Sequence, residues 1–219
     1  MIRHLTLLAA AVALAAPSAH AAFIISPTAA TASSTFSSSF SINNTITGAG
    51  LATPFVSGVT DFDSYIASNP IHTLVASGNE WFSATGVTRV QVTYDLGSVI
   101  GIDRLALWNE EFSGFGTGDI SISDDGVGFT SLMTINPVDS PSGLNYGAQV
   151  FALGNLNTRF VRFDISGCPQ PNGDALAVCG IGEVAFATAT GGTVPTPASL
   201  SLVLLALAAG AAVTRANKR

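Results

Sequence analysis

The sequence predicts an all-β fold, a β-sandwich or jelly roll, from three observations. Apolar and polar residues alternate over 90–96, 120–123 and 161–165, as in strands that bury one face. Turn sequences separate these runs, and Asp124-Asp125-Gly126 is typical of a hairpin because glycine readily adopts a positive φ. The central part also shows no long amphipathic helix. Short strands with glycine-rich turns favour two packed sheets.

The first residues predict a secretory signal peptide over 1–21. Arg3 and His4 form a charged start, an apolar stretch follows over 5–16, and Ala19-His20-Ala21 has the small-x-small pattern of a cleavage site. The alternative is an N-terminal membrane anchor, which the cleavage pattern disfavours. We therefore expect the protein to be exported.

The last residues, 191–219, combine a proline-containing motif, a short apolar helix and a basic end. The motif contains Val194, Pro195 and Pro197, the apolar run covers 200–213, and the basic residues are Arg215, Lys218 and Arg219. This order resembles the PEP-CTERM sorting tail of Gram-negative bacteria, with Thr196 in place of the usual Glu. The resemblance implies an exosortase-type membrane protease as partner. It also implies transient residence in the inner membrane before the protein reaches the cell surface or extracellular matrix. The alternative is an ordinary anchor helix, but the apolar stretch 198–213 is shorter than the ~20 residues of a comfortable span.

Between these segments, residues 22–190 are long enough to form one domain with a full core. The domain contains four arginines, no lysine and all fourteen acidic residues of the chain, so its formal charge is −10. Such a surface repels phosphate backbones and excludes nucleic-acid binding. It suits cations or neutral sugars.

The only two cysteines, Cys168 and Cys179, predict a disulfide. Their number is even, they lie close together in the chain, and the protein is expected in an oxidising compartment. The alternative is a metal site, which would need nearby histidines. The domain has a single histidine, His72, which we expect at the surface or in a turn.

Several segments, in order, resemble discoidin domains, also called coagulation factor V/VIII type C domains. They are residues 31–34 (Thr-Ala-Ser-Ser), 44–48 (Asn-Thr-Ile-Thr-Gly), 80–83 (Glu-Trp-Phe-Ser), 92–97, 120–129, 158–162 and 181–184. The resemblance covers about residues 30–188. It implies a galactose-binding-like jelly-roll β-sandwich, with Trp81 in the core and Arg159 and Arg162 in structural ion pairs. Residues 49–80 exceed the usual pattern and are interpreted as an insertion in a rim loop, where such folds carry ligands.

The same resemblance implies a Ca²⁺ site made by the first turn and the last strand. The matching residues are the turn from Asn44 to Gly48 and the carboxylate of Glu183. Ca²⁺ needs six to eight oxygen ligands, and Thr47 stands where the family has an Asp. Asp61 or Asp63 could supply the missing carboxylate. The alternative is that Glu183 pairs with an arginine.

The segment 108–116 is the predicted sugar site. It carries Trp108, Asn109, Glu110 and Phe112 after a buried strand and before glycines. Sugars stack on aromatic rings, while amides and carboxylates accept or donate hydrogen bonds to their hydroxyls. The alternative is that Trp108 and Phe112 fill the core at the base of the loop.

No enzymatic motif accompanies this site. Glu110 and Glu111 are adjacent, and adjacent strand residues point to opposite faces, so they are not expected to flank one glycosidic bond. The sequence therefore predicts an exported non-catalytic protein that binds carbohydrate of the extracellular polysaccharide. The alternative is a purely structural matrix or surface protein without a small-molecule ligand.

Overall fold

The computed structural model describes residues 21–173 and 176–189. The predicted signal peptide, apart from Ala21, lies outside the described residues. So does the predicted tail 191–219 with Val194, Pro195 and Pro197. Within the described ranges, no helix is long and apolar enough to cross a membrane.

Ten strands, one helix and two short 3-10 helices make up the described chain. The strands are β1 (Ile24–Ile25), β2 (Ala29–Ala32), β3 (Ile71–His72), β4 (Trp81–Phe82), β5 (Val90–Asn109), β6 (Thr117–Ser123), β7 (Thr130–Ile135), β8 (Tyr146–Gly147), β9 (Gln149–Ser166) and β10 (Gly180–Thr188). Helix α1 spans Phe62–Ala67, and the 3-10 helices span Ser38–Phe40 and Ile42–Ile46. Eight strands form one hydrogen-bonded sheet in the order β1-β10-β5-β9-β6-β7, with β2 on β5 and β4 on β10, while β3 pairs with β8.

The two longest strands, β5 and β9, make this sheet fold over into two layers. The first part of β5 pairs with β2, whereas its last part pairs with β10. Strand β9 follows β5 through both parts, and the register shifts between Asp95 and Ile100. Such irregularities bend strands. The result is the antiparallel β-sandwich of galactose-binding-like jelly rolls, and the predicted fold class is confirmed.

The inter-sheet core is formed by alternate residues of the strands. Val92, Tyr94, Val161, Phe163 and Val184 are all completely buried in one hydrophobic cluster. In β5 and β9, the polar residues between them, such as Gln91, Thr93 and Arg162, point away from this core, as the period of two predicts. Trp81 belongs to the same cluster, and its Nε1 donates to the carbonyl of Ser34 at 3.2 Å.

A second cluster, which we call the outer cluster, lies on the opposite face of the β10–β5 layer. Leu51, Phe62 and Tyr65 pack there against Trp108 and Ala185. The segment 49–80 is thus not simply a rim loop, because its apolar residues cover the outside of the sheet. The interpretation of this segment as an insertion in a rim loop did not anticipate this structural role.

The local predictions about covalent and ionic contacts are confirmed. Cys168 and Cys179 form a disulfide. Arg159 pairs with Asp95 at 2.9 Å, and Arg162 lies 3.5 Å from Asp164.

Candidate functional site

A cavity of about 280 Å³ opens where the loops meet near the start of β10. We call it the aromatic cavity, and its walls come from five separate parts of the chain. It is lined by Phe36, Phe40, Val75, Phe82, Phe112, Ser113, Leu176 and Val178. Seven of these eight side chains are apolar, so the cavity presents mainly carbon atoms.

Three phenylalanines make one continuous aromatic wall. The ring centroids of Phe36 and Phe40 are 6.1 Å apart, and those of Phe40 and Phe82 are 5.1 Å apart, both in edge-to-face geometry. Phe36 is 47% exposed, whereas Phe82 is buried. The exposed ring of Phe36 is thus backed by the half-buried ring of Phe40 and the buried ring of Phe82, which together offer a surface for apolar contacts.

Buried carboxyl groups behind the cavity hold its walls in place. Glu110 Oε2 accepts hydrogen bonds from the amides of Phe112 at 3.0 Å and Ser113 at 2.6 Å. Glu111 Oε1 accepts from the amide of Val75 at 3.1 Å. Glu80 Oε2 accepts from the amide of Ala76, the residue after Val75, at 2.9 Å. These residues fix backbone that lines the cavity rather than facing its interior.

Burial controls the charge of these groups. It raises the pKa of Glu80 to about 8, because the ionised form loses its hydration. Burial, together with the nearby charge of Glu111, raises the pKa of Glu110 well above its usual value. Burial also lowers the pKa of His72, whose ring stacks on Tyr146 at 4.9 Å. Burial thus favours the uncharged forms of Glu80, Glu110 and His72.

The structure corrects the surface environment expected for His72. The side chain is completely buried, because other residues of the segment 49–80 cover it and Gly50 leaves room for its ring. A Cβ at Gly50 would lie only 2.0 Å from the imidazole. Its Nδ1 lies 3.0 Å from the carbonyl oxygen of Thr73.

Trp108 is a core residue in this structure, which corrects its predicted role in stacking on a sugar. Its side chain is 0% exposed, and its Nε1 donates to the carbonyl of Pro70 at 3.0 Å. The ring faces the outer cluster, because β5 presents Ala106 and Trp108 on that side of the layer. No face of the indole reaches solvent.

Asn109 and Glu110 are also buried and are corrected in the same way. Asn109 donates from Nδ2 to Gln170 Oε1 at 2.7 Å and accepts from the amide of Phe115 at 3.1 Å. Strand β5 ends at Asn109, so Glu110 and Glu111 lie in a turn and influence each other. The expectation that they point to opposite faces was therefore wrong. Of the predicted set, only Phe112 lines the cavity.

The structure brings together only some of the predicted calcium ligands. Glu183 is buried, and its Oε2 accepts from the amide of Gly48 at 2.9 Å, so the last strand does reach the first turn. Its Oε1 has no hydrogen-bond partner. The side chains of Asn44 and Thr47 bond to backbone carbonyls instead: Asn44 Nδ2 donates to the carbonyl of Glu80, and Thr47 Oγ1 donates to the carbonyl of Asn44.

Asp61 and Asp63 belong elsewhere, which corrects their place in the calcium set. Asp61 caps α1 by accepting from the amide of Ser64 at 2.8 Å. Asp63 pairs with Arg104. Across the described ranges, no three His, Cys, Asp or Glu side chains are arranged to hold a metal ion.

Most walls of the aromatic cavity were missed from the sequence. Phe82, Val75, Leu176 and Val178 come from segments without a common motif. A usable signal was present only at Phe36 and Phe40, two large aromatic residues in a run of serines and threonines.

Several solved structures share this fold. A mutant of chitosan-binding module 1 from a chitosanase/glucanase of Paenibacillus sp. IK-5 has a TM-score of 0.50 and 19% identity, over 77% of this chain and 99% of that chain. Chitosan-binding module 2 of the same enzyme, in complex with chitotriose, has a TM-score of 0.50 and 17% identity, over 74% and 96%. CBM32-3 of a family 31 glycoside hydrolase from Clostridium perfringens has a TM-score of 0.51 and 15% identity, over 76% and 91%. No family model and no curated protein matches the sequence.

Proposed function

We propose that residues 22–190 are a non-catalytic carbohydrate-binding domain and that the aromatic cavity is its binding site. The observation that carries the proposal is the exposed aromatic wall, Phe36 and Phe40, at the loop end of the sandwich. The fold supports it by analogy, since solved modules of this fold are described as chitosan-binding.

The surroundings of the cavity support binding without catalysis. The adjacent carboxyl groups of Glu110 and Glu111 are each 1% exposed, and both accept hydrogen bonds from backbone amides. A carboxyl pair that hydrolyses glycosides must reach both sides of the scissile bond. This pair lies behind the wall.

The direction of β10 supports the proposal that the protein is displayed at a surface by its tail. At one end of β10, the amide of Gly180 donates to the carbonyl of Ser113 in the cavity wall. At the other end, the amide of Thr188 donates to the carbonyl of Phe23. Nine strand residues cover roughly 25 Å, so the segment leading to the tail leaves the domain far from the cavity.

We therefore propose that the protein is exported through the inner membrane of a Gram-negative bacterium. An exosortase-type protease processes its tail, and the domain then binds polysaccharide at the cell surface or in the matrix. Deletion of residues 191–219 should release soluble protein and remove any processing-dependent change in mass. Intact, permanently membrane-bound protein in a strain that carries an exosortase would contradict this sorting step.

A glycan array tests the binding proposal directly. Every described strand and both hydrophobic clusters lie within residues 22–190, so this span carries the whole described fold. We expect it to bind at least one glycan and Phe112→Ala to weaken that binding. Phe129→Ala is the matched control, because this ring lies under Arg162 in another part of the sandwich. Failure to bind any glycan would favour the structural matrix protein.

Ca²⁺ binding is proposed on a reduced set, Glu183 with the turn 44–48. The supporting observation is the buried Oε1 of Glu183, which has no partner. Millimolar CaCl₂ should raise the melting temperature, and Glu183→Gln should abolish the increase. An identical melting temperature with CaCl₂ and with chelator would reject the site.

A further inference from the structure

The aromatic cavity offers few partners for hydroxyl groups. Among the described residues that line it, Ser113 supplies the only polar side chain, and the amide of Ser113 already donates to Glu110. A hydroxyl buried here would lose hydrogen bonds to water without replacing them. The cavity therefore favours a part of a ligand that ends in a methyl group.

The described side chains that line the cavity also carry no positive charge. The four arginines of the domain all lie elsewhere: Arg104 beside Asp63, Arg159 beside Asp95, Arg162 beside Asp164, and Arg89 in a separate cleft. An anionic sugar such as a uronate would lose its hydration without gaining a counter-charge. The fold alone thus does not identify the ligand, whereas the walls of the cavity disfavour anionic sugars.

A positively charged amino sugar gains little from the walls either. Among the described residues, the carboxyl groups of Glu80, Glu110 and Glu111 behind the cavity accept from backbone amides rather than facing its interior. The overall charge of the domain would attract a polycation from a distance, but salt screens such attraction. Binding of this kind does not depend on the aromatic wall.

We propose that the aromatic cavity selects uncharged glycans whose sugars carry methyl-terminated substituents, with an N-acetylated sugar as the form to test. The inference rests on the proposed function and specifies its ligand class. The pyranose ring would lie against Phe36, the most exposed ring of the wall. The methyl group would enter among Val75, Phe82 and Val178.

Four hexasaccharides of defined charge test the proposal on residues 22–190 by calorimetry. Chitohexaose, cellohexaose and the fully deacetylated glucosamine hexamer share a β-1,4-linked gluco backbone and differ in one substituent. Hexamannuronate supplies the anionic case. We expect chitohexaose to bind at least about fourfold more tightly than cellohexaose, the effect of burying one methyl group. The glucosamine hexamer should lose its binding in 0.5 M NaCl, and hexamannuronate should not bind.

Two variants connect the selectivity to the cavity. Phe36→Ala should weaken chitohexaose binding about tenfold or more, while Phe129→Ala should leave it unchanged. Equal or tighter binding of cellohexaose or hexamannuronate, still dependent on Phe36, would overturn the inference and leave the proposed function intact. Binding that does not depend on Phe36 would show that the cavity is not the site. Absence of binding to any hexasaccharide, combined with an empty glycan array, would instead reject the proposed function.

Discussion

The inter-sheet core and the outer cluster lie on opposite faces of the same strands but are built differently. In β10, Val184 and Phe186 face the inter-sheet core, whereas Ala185 and Ala187 face the outer cluster. The inter-sheet side is almost entirely apolar. On the outer side, Tyr146 lies close to the buried groups Glu80, Glu183 and His72.

This difference separates what holds the fold from what shapes the site. The inter-sheet core depends on apolar burial, which does not change with protonation. The layer over the opposite face depends also on carboxyl groups that accept hydrogen bonds from the cavity walls. Changes at the apolar residues of either region should therefore alter stability alone, whereas changes at these carboxyl groups should also move the cavity walls.

The largest expected effect comes from Trp108→Ala in the outer cluster. The substitution removes a completely buried indole and a hydrogen bond to Pro70. We expect the free energy of unfolding to fall by about 3–5 kcal/mol, measured by denaturant unfolding, with glycan affinity of the folded fraction retained. Phe36→Ala provides the opposite pattern, with stability within ~0.5 kcal/mol of the native protein and affinity lost. Loss of affinity in Trp108→Ala without loss of stability would return Trp108 to the binding site.

The next effect comes from the disulfide, which ties the start of β10 to the end of β9. Cys168→Ser should lower the free energy of unfolding by about 3 kcal/mol, since the closed loop constrains the unfolded chain. The remaining thiol of Cys179 should then become reactive to alkylation. Thiols that react in the unreduced native protein would contradict the disulfide.

A smaller effect is the dependence of stability on pH, which distinguishes the outer cluster and its buried ionisable groups from the inter-sheet core. The folded-state pKa of Glu80, about 8, lies above its value of 4.5 in the unfolded chain, so its contribution to stability is lost as pH rises through 8. His72 acts in the opposite sense, because its lowered pKa costs stability only as pH falls below 6.5. Glu111 and Tyr146 also lie near Glu80. Both residues are present in the native protein and in the Glu80→Gln variant that tests this effect.

Between pH 6.5 and 8, the free energy of unfolding should therefore fall by about 2 kcal/mol for one such group. In urea titrations at several pH values, Glu80→Gln should reduce this dependence by the share of one group, because burial also raises the pKa of Glu110 and Glu183. Asp124→Asn, at an exposed position of the β6–β7 hairpin, should leave it unchanged. A stability that stays constant over this pH range would show that the buried carboxyl groups are already ionised in the folded state.

The inter-sheet core was predictable from sequence because each strand repeats with a period of two and its turns carry glycine and aspartate. Gly126 has φ of +76° in the predicted hairpin, for example. The outer cluster was not predictable, since Leu51, Phe62 and Tyr65 follow no shared period. The cavity combines short segments distant in sequence, from Phe36 to Val178. Trp108 looked accessible because a loop follows it, but only the three-dimensional cover from residues 49–80 shows that it is buried.

The smallest expected effect concerns the ion pair that joins α1 to the sheet. Arg104 contacts Asp63 and also lies over the ring of Phe62, 4.6 Å from its centroid. Asp63 is 65% exposed, and exposed pairs contribute only about 0–1 kcal/mol. Asp63→Asn should thus change the free energy of unfolding by less than about 1 kcal/mol and leave any calcium-dependent stabilisation intact. Phe62→Ala, which empties a buried site in the same helix, should cost several times more. Equal losses in the two variants would mean that charge, rather than the outer cluster, holds this segment on the sheet.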